Sequence, residues 1–271
     1  MNARLHPTAP IPTDLLLLAY RSGIFPMSDH REDDELFWVE PKERAIIPLD
    51  GFRLSRSLAK VLRQDRFRVS CDTAFAQVIA ACAAPREDHA ESWISRRIEE
   101  SYLALYASGH AHSIECWQAD AAGSERLVGG LYGVAFDRVF CGESMFSRTD
   151  NASKVALAWL VAGLRRAGFA LLDCQFMTDH LASMGAVTIA QAEYLRRLEA
   201  ARGPAALSLP QAVVAVSAGD GVGVGLAVAD GAGPGRARAL GLGLGPGPGD
   251  SSPGPASSPG KRIAQSLTQT S

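Results

Sequence analysis

Between residues 126 and 147 the chain runs RLVGGLYGVAF, then Asp137-Arg138, then VFCGESMFS. Two long β-prone runs joined by a two-residue turn pair antiparallel, and HSIECWQ (112–118), one polar turn upstream, extends the pair to a meander. The residues after Ser147 point to a parallel pair beside the meander. ASKVALAWLVAGLRRA reads as a helix capped by Asn151 and closed by Gly168, and FALLDCQF then returns as a strand. A strand, helix, strand order with short links lays the last strand parallel to a neighbour in the same sheet. The expected fold class is therefore α/β (α+β) with a mixed sheet.

The flanks are helical. Thr13 or Asp14 opens a short helix that ends at Gly23, IFPMSD turns the chain, and a loop with Trp38 and Pro41 follows. SRSLAKVLRQ (55–64) sets Arg56, Lys60 and Arg63 against Leu58, Val61 and Leu62, an amphipathic helix with a basic outer stripe. RFRVS reads as a strand, Asp72 as the cap of FAQVIAACA, and Ser95 as the start of a helix closed by Gly109. TDHLASMG and AQAEYLRRLEA complete the helical set. Every Trp, Tyr, Phe, Cys and His lies in residues 1–200, whereas 15 of the 26 glycines and 8 of the 15 prolines come later. That tail cannot bury enough surface to offset its ordering entropy and is expected to be disordered.

A formal net charge of −2 provides no global field toward polyanions or membranes. Five cysteines, an odd number without a C-x-x-C pair, argue for reduced thiols in a cytosolic protein, and no apolar run is long enough for a signal or membrane span. Neither H-x-x-x-H nor a carboxylate at ligand spacing is present, so no metal is expected.

LLDCQFMTDH (171–180) gathers a carboxylate, a thiol, an amide and an imidazole. Strand alternation sends Leu172, Cys174 and Phe176 to one face and Leu171, Asp173 and Gln175 to the other. Cys174 then reads as a small core residue and His180 as a surface group at a helix start capped by Thr178. Two polar side chains together on one face of an interior strand are costly unless paired or used, which singles out Asp173 and Gln175. FCGESMFS places Glu143 at the rim of an apolar surface formed by Phe140, Met145 and Phe146. Arg53, Arg56, Lys60, Arg63, Arg66 and Arg68 put six cations in sixteen residues, a candidate phosphate-contacting surface, with Tyr20, Trp93 and Tyr102 as possible stacking faces.

Read in order, AYRSGIFPM, SRSLAK, AFAQVIAACA, SWI, GHAHSIECW, LVGGLYGV, FCGESMFS, NASK and LLDCQFMTDHLASMGA make the stretch from about residue 14 to 196 resemble the leucyl/phenylalanyl-tRNA protein transferases. The resemblance implies a small N-terminal α/β domain (1–64), a GNAT-like acyltransferase domain (65–202) and then the tail (203–271). It implies a cytoplasmic enzyme, taken to be a monomer, without metal or other cofactor. It moves Leu or Phe, and in an extended reading Met, from aminoacyl-tRNA (Leu-tRNA, Phe-tRNA) to proteins with N-terminal Arg or Lys, a step in N-end rule degradation. Carried over by residue, Gln175 accepts a hydrogen bond from the attacking amine and Asp173 polarises the Gln175 amide. Leu131, Phe140, Met145 and Leu172 line the aminoacyl pocket, and Glu143 faces the acceptor's charge. Tyr20, Trp93 and Tyr102 hold the terminal adenosine, and Arg56, Lys60 and Arg63 the tRNA backbone.

Three departures stand out. Met27 replaces a Trp common after GIFP and FWVEP replaces a WWSP-like motif, so one stacking surface for the adenosine is either weakened or supplied by Trp38. GGLYG stands for GGMYG, and the tail from about 203 does not resemble the family apart from its closing QSLTQTS. Two rival readings remain. An acyl-CoA-dependent N-acyltransferase is suggested by RRAGFA (165–170), although these letters leave a helix instead of entering one. A non-catalytic tRNA or N-degron binder needs Trp93 and the basic stripe but not the Asp173 and Gln175 pair.

Overall fold

The computed structural model describes residues 9–85, 92–219 and 258–268. The chain begins with α1 (Thr13–Arg21) and an antiparallel ribbon of β1 (Phe25–Met27) and β2 (Phe37–Val39), followed by β3 (Glu43–Ile47), α2 (Arg56–Arg63), β4 (Arg68–Cys71), α3 (Phe75–Ala83) and α4 (Arg96–Ala107). The meander is β5 (Ala111–Ala119), β6 (Glu125–Phe136) and β7 (Val139–Ser147), after which α5 (Ala152–Ala167) crosses to β8 (Leu171–Gln175). α6 (Asp179–Ser183), β9 (Val187–Ala190), α7 (Gln191–Ala200), α8 (Leu209–Ala218) and α9 (Pro259–Thr268) complete the order.

The large sheet has seven strands in the order β4-β5-β6-β7-β8-β3-β9, with β7 and β8 parallel and every other neighbouring pair antiparallel. The mixed α/β architecture read from the meander and its crossover is thus present. Central strands bury both faces: Ile47, Leu131, Phe140 and Leu172 belong to one apolar cluster with α2, α5, α8 and α9, while Ile46, Tyr132, Cys141 and Leu171 belong to the other with α1, α3, α4 and α7. Successive residues therefore serve opposite cores, as a period of two requires. Gly129 matters to this layering, because a Cβ there would come within 2.4 Å of the Ala152 Cβ and push α5 off the sheet.

Several local expectations give way to other contacts. ERAII, where no strand was expected, is β3 and lies between β8 and β9, so a strand from the first 64 residues belongs to the large sheet. Asp72 does not cap α3. It adopts φ 58° and accepts hydrogen bonds from Ser113 N (2.8 Å) and His112 Nδ1 (2.7 Å), while Glu115 Oε1 accepts Ala74 N at 3.3 Å. Asn151 makes no side-chain cap and is left-handed, its place taken by Ser147 Oγ, which accepts Ser153 N at 3.2 Å.

Past residue 202, where disorder was expected, 209–218 and 259–268 are helices; residues 220–257 lie outside the described residues. Ser208 and Gln211 form a capping box on α8, whose Leu209, Ala212 and Val213 are buried. α9 buries Gly260, Ile263, Ala264 and Leu267, one helical face. These helices pack on α5 and α2, covering apolar surface that the sheet leaves open, and so 13 of the 16 residues of α5 are buried.

Candidate active site

β7 and β8 pair only through Val139–Leu171, Phe140–Leu172 and Cys141–Asp173. Beyond that register the strands part, and a cleft of about 720 Å³ opens at their carboxyl ends. In α/β sheets this is where ligands bind, because the strand ends offer polar groups over an apolar floor. Leu131, Met145, Leu172 and Cys174 line its sheet side, Leu157 and Leu160 of α5 its floor, and Met27, Trp93 and Phe176 are also in its wall.

Gln175 ends β8 in a conformation that breaks strand alternation. Its φ is 61°, and the register of β3 on β8 slips between Ala45 and Ile46, opposite Gln175 and Asp173. A left-handed non-glycine residue costs about 1–2 kcal/mol, so other contacts must hold it. Asp173 Oδ1 accepts the Gln175 backbone N–H at 2.8 Å, and Gln175 Nε2 donates to Glu143 Oε1 at 2.9 Å. The two residues expected on one face are consequently separated: Gln175 lines the cleft, while Asp173 is fully buried behind it.

Asp173 is held by Arg44, whose Nη2 lies 2.6 Å from Oδ2, and by Tyr194 Oη at 2.9 Å. The expected contact of Asp173 with the Gln175 side chain is therefore made by Glu143 instead. Glu143 Oε2 also accepts Tyr102 Oη at 3.0 Å. Burial pushes the Glu143 carboxyl up to about 7, against the pull of hydrogen bonds from Gln175, Tyr20 and Tyr102. With only 8 % of its surface exposed and one edge on the cleft, Glu143 presents a carboxyl that holds its proton more firmly than usual toward whatever enters.

The other expected site residues divide. Leu131, Met145 and Leu172 line the cleft, but Phe140 does not: it is wholly buried against Gly133, where a Cβ would sit 2.4 Å from its ring. Tyr20 and Tyr102 have no open face for a base, since both are 0 % exposed and bonded to each other beside Glu143. Trp93 is half-buried at the cleft. Trp38 stands outside the cleft lining, paired with Pro26, whereas Met27 lies in that lining. Arg56, Lys60 and Arg63 are exposed on α2, away from its buried Leu58, Val61 and Leu62.

His180, expected at the surface, lines the cleft, and its Nε2 has no hydrogen-bond partner among the described residues. Burial, then the Lys154 charge, lowers its pKa. Cys174 lines the cleft as a thiol whose pKa burial raises far above the ordinary value, which disfavours a nucleophilic thiolate. Arg44 and Tyr194 carried no local signal in the sequence, although an arginine directly before the apolar run Ala45-Ile46-Ile47 is the kind of charge that demands a partner once buried. Among the described residues no three His, Cys, Asp or Glu side chains converge as a metal site would require, and no helix is long and apolar enough to cross a membrane.

The cleft, its amide and its carboxylate fall within a stretch that known proteins share. A family model described as leucyl/phenylalanyl-tRNA protein transferase matches residues 46–199, and the model of that family's N-terminal domain matches residues 10–42. The leucyl/phenylalanyl-tRNA protein transferase of Novosphingobium aromaticivorans is 58 % identical over 270 residues, covering 99 % of this chain and all of that protein. Its match continues past residue 203, where family likeness was expected only in the closing QSLTQTS. The same-named protein of Rhizorhabdus wittichii is 58 % identical over 193 residues (71 % of this chain, 76 % of that one), and that of Zymomonas mobilis 60 % over 191 residues (70 % and 69 %). The solved structure of L-PGS from Bacillus licheniformis is similar at a TM-score of 0.33 and 11 % identity, over 75 % of this chain and 69 % of that one, a likeness too slight to carry an argument. With family models spanning more than half of the chain and a relative matched end to end, the protein belongs to the leucyl/phenylalanyl-tRNA protein transferase family and is an aminoacyltransferase.

Proposed function

We propose that the protein transfers a leucyl or phenylalanyl group, and a methionyl group through the same pocket, from aminoacyl-tRNA to the α-amino group of an N-terminal Arg or Lys. In this reading it works as a cytoplasmic monomer without a cofactor and marks acceptor proteins for N-end rule degradation. The observation that carries it is the Gln175 amide, turned into an apolar cleft by a left-handed backbone and tied through Nε2 to a buried carboxylate.

An amide whose nitrogen donates to Glu143 presents its oxygen as an acceptor. There it takes a hydrogen bond from the neutral acceptor amine and aims the nitrogen lone pair at the ester carbonyl carbon. The new C–N bond forms, the bond from the acyl carbon to the ribose oxygen of the terminal adenosine breaks, and the amine proton ends on that oxygen. The ester is already activated, so alignment is the main requirement. Leu131, Met145, Leu172, Leu157 and Leu160 take the donor side chain, and such a wall discriminates only weakly per methylene, which suits Leu, Phe and Met alike. Glu143 attracts the acceptor's positive charge. Of the three aromatic residues expected at the adenosine, Trp93 keeps an open face at the cleft, and Arg56, Lys60 and Arg63 meet the tRNA backbone from α2. A small N-terminal domain followed by a GNAT-like domain belongs to the same reading, with β3 (Glu43–Ile47) counted in the second because it lies within the large sheet.

The test uses the purified protein, Leu-tRNA labelled in the amino acid and a peptide beginning with Arg. Label on the peptide supports the proposal. Label that stays on bound tRNA points to a binding module, and transfer only from an acyl-CoA to the acyltransferase rival; either sinks it.

A further inference from the structure

Arg44 is the largest fully buried side chain among the described residues, with a relative exposure of 1 %. Its guanidinium lies between the rings of Phe25 (4.8 Å to the centroid) and Tyr194 (4.4 Å). Nη1 donates to Gly23 O at 3.0 Å, Nε to Asp173 Oδ1 at 3.1 Å, and Nη2 to Asp173 Oδ2 at 2.6 Å. One cation thus fixes the segment before β1, the carboxylate of β8 and, through Tyr194, helix α7.

Every oxygen of Asp173 is engaged. Oδ2 accepts from Arg44 and Tyr194, and Oδ1 from Arg44 and the backbone N–H of Gln175. The last bond holds Gln175 left-handed at the slip in the β3 register, and that twist swings its amide out of the strand's alternation toward Glu143. Without it, an ordinary extended residue 175 would point to the face of Asp173, away from the cleft. We infer that Arg44 is a positioning residue for transfer: by clamping Asp173, it keeps Gln175 in the conformation that presents its amide to the reacting amine. The inference rests on the proposed role of Gln175, and it assigns Asp173 to the same clamp.

A Lys at position 44 keeps the charge but cannot fork onto both oxygens, since the ammonium lacks the planar, bidentate geometry. Arg44→Lys, Gln175→Ala and the double variant are compared with wild type for label transfer from Leu-tRNA to an Arg-initiated peptide. Displacing a catalytic group by an ångström costs on the order of 100-fold, so Arg44→Lys is expected to lower kcat roughly 10- to 100-fold while the KM for Leu-tRNA stays within about twofold. In the Gln175→Ala background the same substitution should lower kcat by less than about twofold, because its route to the reaction is already gone. Equal losses in both backgrounds, an unchanged kcat, or a KM that rises in step with the fall in kcat would overturn the inference in favour of plain scaffolding. If Arg44→Lys does not fold, Tyr194→Phe keeps the ring against Arg44 and removes one hydrogen bond to Asp173. It should lower kcat several-fold, and again only when Gln175 is present. A wild-type protein that transfers nothing removes the reaction and this inference together, whereas an active one with additive losses removes the inference alone.

Discussion

Two buried glutamates stand on strands of the same sheet, and their surroundings differ in kind. Glu115 of β5 is 0 % exposed and surrounded by donors: Ser70 Oγ at 2.6 Å, Thr73 Oγ1 at 3.1 Å, Ala74 N at 3.3 Å and the hydroxyl of Ser113. Together these donors tie β4, the start of α3 and β5 to one another. Glu143 of β7 has the Gln175 amide and the Tyr20 and Tyr102 hydroxyls, and its remaining edge meets the cleft. A carboxylate with its full set of donors is a clasp. One left short of donors in a desolvated place still attracts a cation, and this is what a site for a positively charged acceptor requires.

Removing the amide that bonds to Glu143 should have the largest effect. Gln175→Ala is expected to slow transfer by about 10²- to 10³-fold, the range for deleting one preorganised hydrogen-bonding group, or roughly 3–4 kcal/mol. Binding of Leu-tRNA, measured by filter retention, should change less than about twofold. If affinity falls as far as rate, Gln175 is part of the binding surface and the contrast between the two glutamates loses its catalytic meaning.

Glu143→Gln should separate stability from activity. Its folded-state value of about 7 lies above the ordinary 4.5, so between these the folded state holds the proton more firmly. The stability that this one group contributes is therefore fully present below pH 4.5 and is lost as pH rises through about 7. The neutral amide escapes that loss. Urea unfolding should show the variant more stable than wild type by up to about 3 kcal/mol at pH 8, with no gain at pH 4.5. Transfer to an Arg-initiated peptide should fall, chiefly through a higher KM for the peptide. A variant less stable at pH 8 would mean that Glu143 is a clasp after all.

Glu115→Gln makes the opposite case. A neutral amide at position 115 gives up the charge-assisted share of these four hydrogen bonds, which costs about 1–2 kcal/mol. The unfolding midpoint should drop, with transfer per folded molecule unchanged. Lost transfer in a fully folded sample would show that this pocket reaches the reaction.

Sequence exposed one glutamate more readily than the other because of where their partners come from. Glu143 stood out because Gly142 and an apolar run surround it, and the meander and crossover that place it were readable from two-residue turns and helix caps. Arg44 and Tyr194 lie 129 residues below and 21 above Asp173, a separation that local periodicity does not register. Alternation failed at Gln175 because a left-handed residue has no signature in letters that also suit an extended strand. Tyr20 and Tyr102 look like stacking faces in a sequence, and only their mutual burial shows that they serve Glu143. The tail helices were hidden by composition, yet the S-x-x-Q cap at Ser208 and the spacing of Gly260, Ile263, Ala264 and Leu267 had recorded them.

The smallest expected change sharpens the comparison at the level of a single hydroxyl. Ser70→Ala takes one donor from Glu115 and should lower stability by about 1 kcal/mol, with the pH profile of transfer unmoved. Tyr102→Phe takes one from Glu143. Because the Tyr102 hydrogen bond favours the charged carboxylate, its loss raises the Glu143 pKa further above 7. The acid limb of kcat/KM for an Arg-initiated peptide, measured between pH 6 and 9, should then move alkaline by roughly half to one unit. The acceptor amine titrates in the same window, but it is identical in both enzymes and drops out of the difference. An acid limb that stays in place after Tyr102→Phe would mean that the amine alone sets it, and Glu143 would then act by its hydrogen bond to Gln175 and not by its charge.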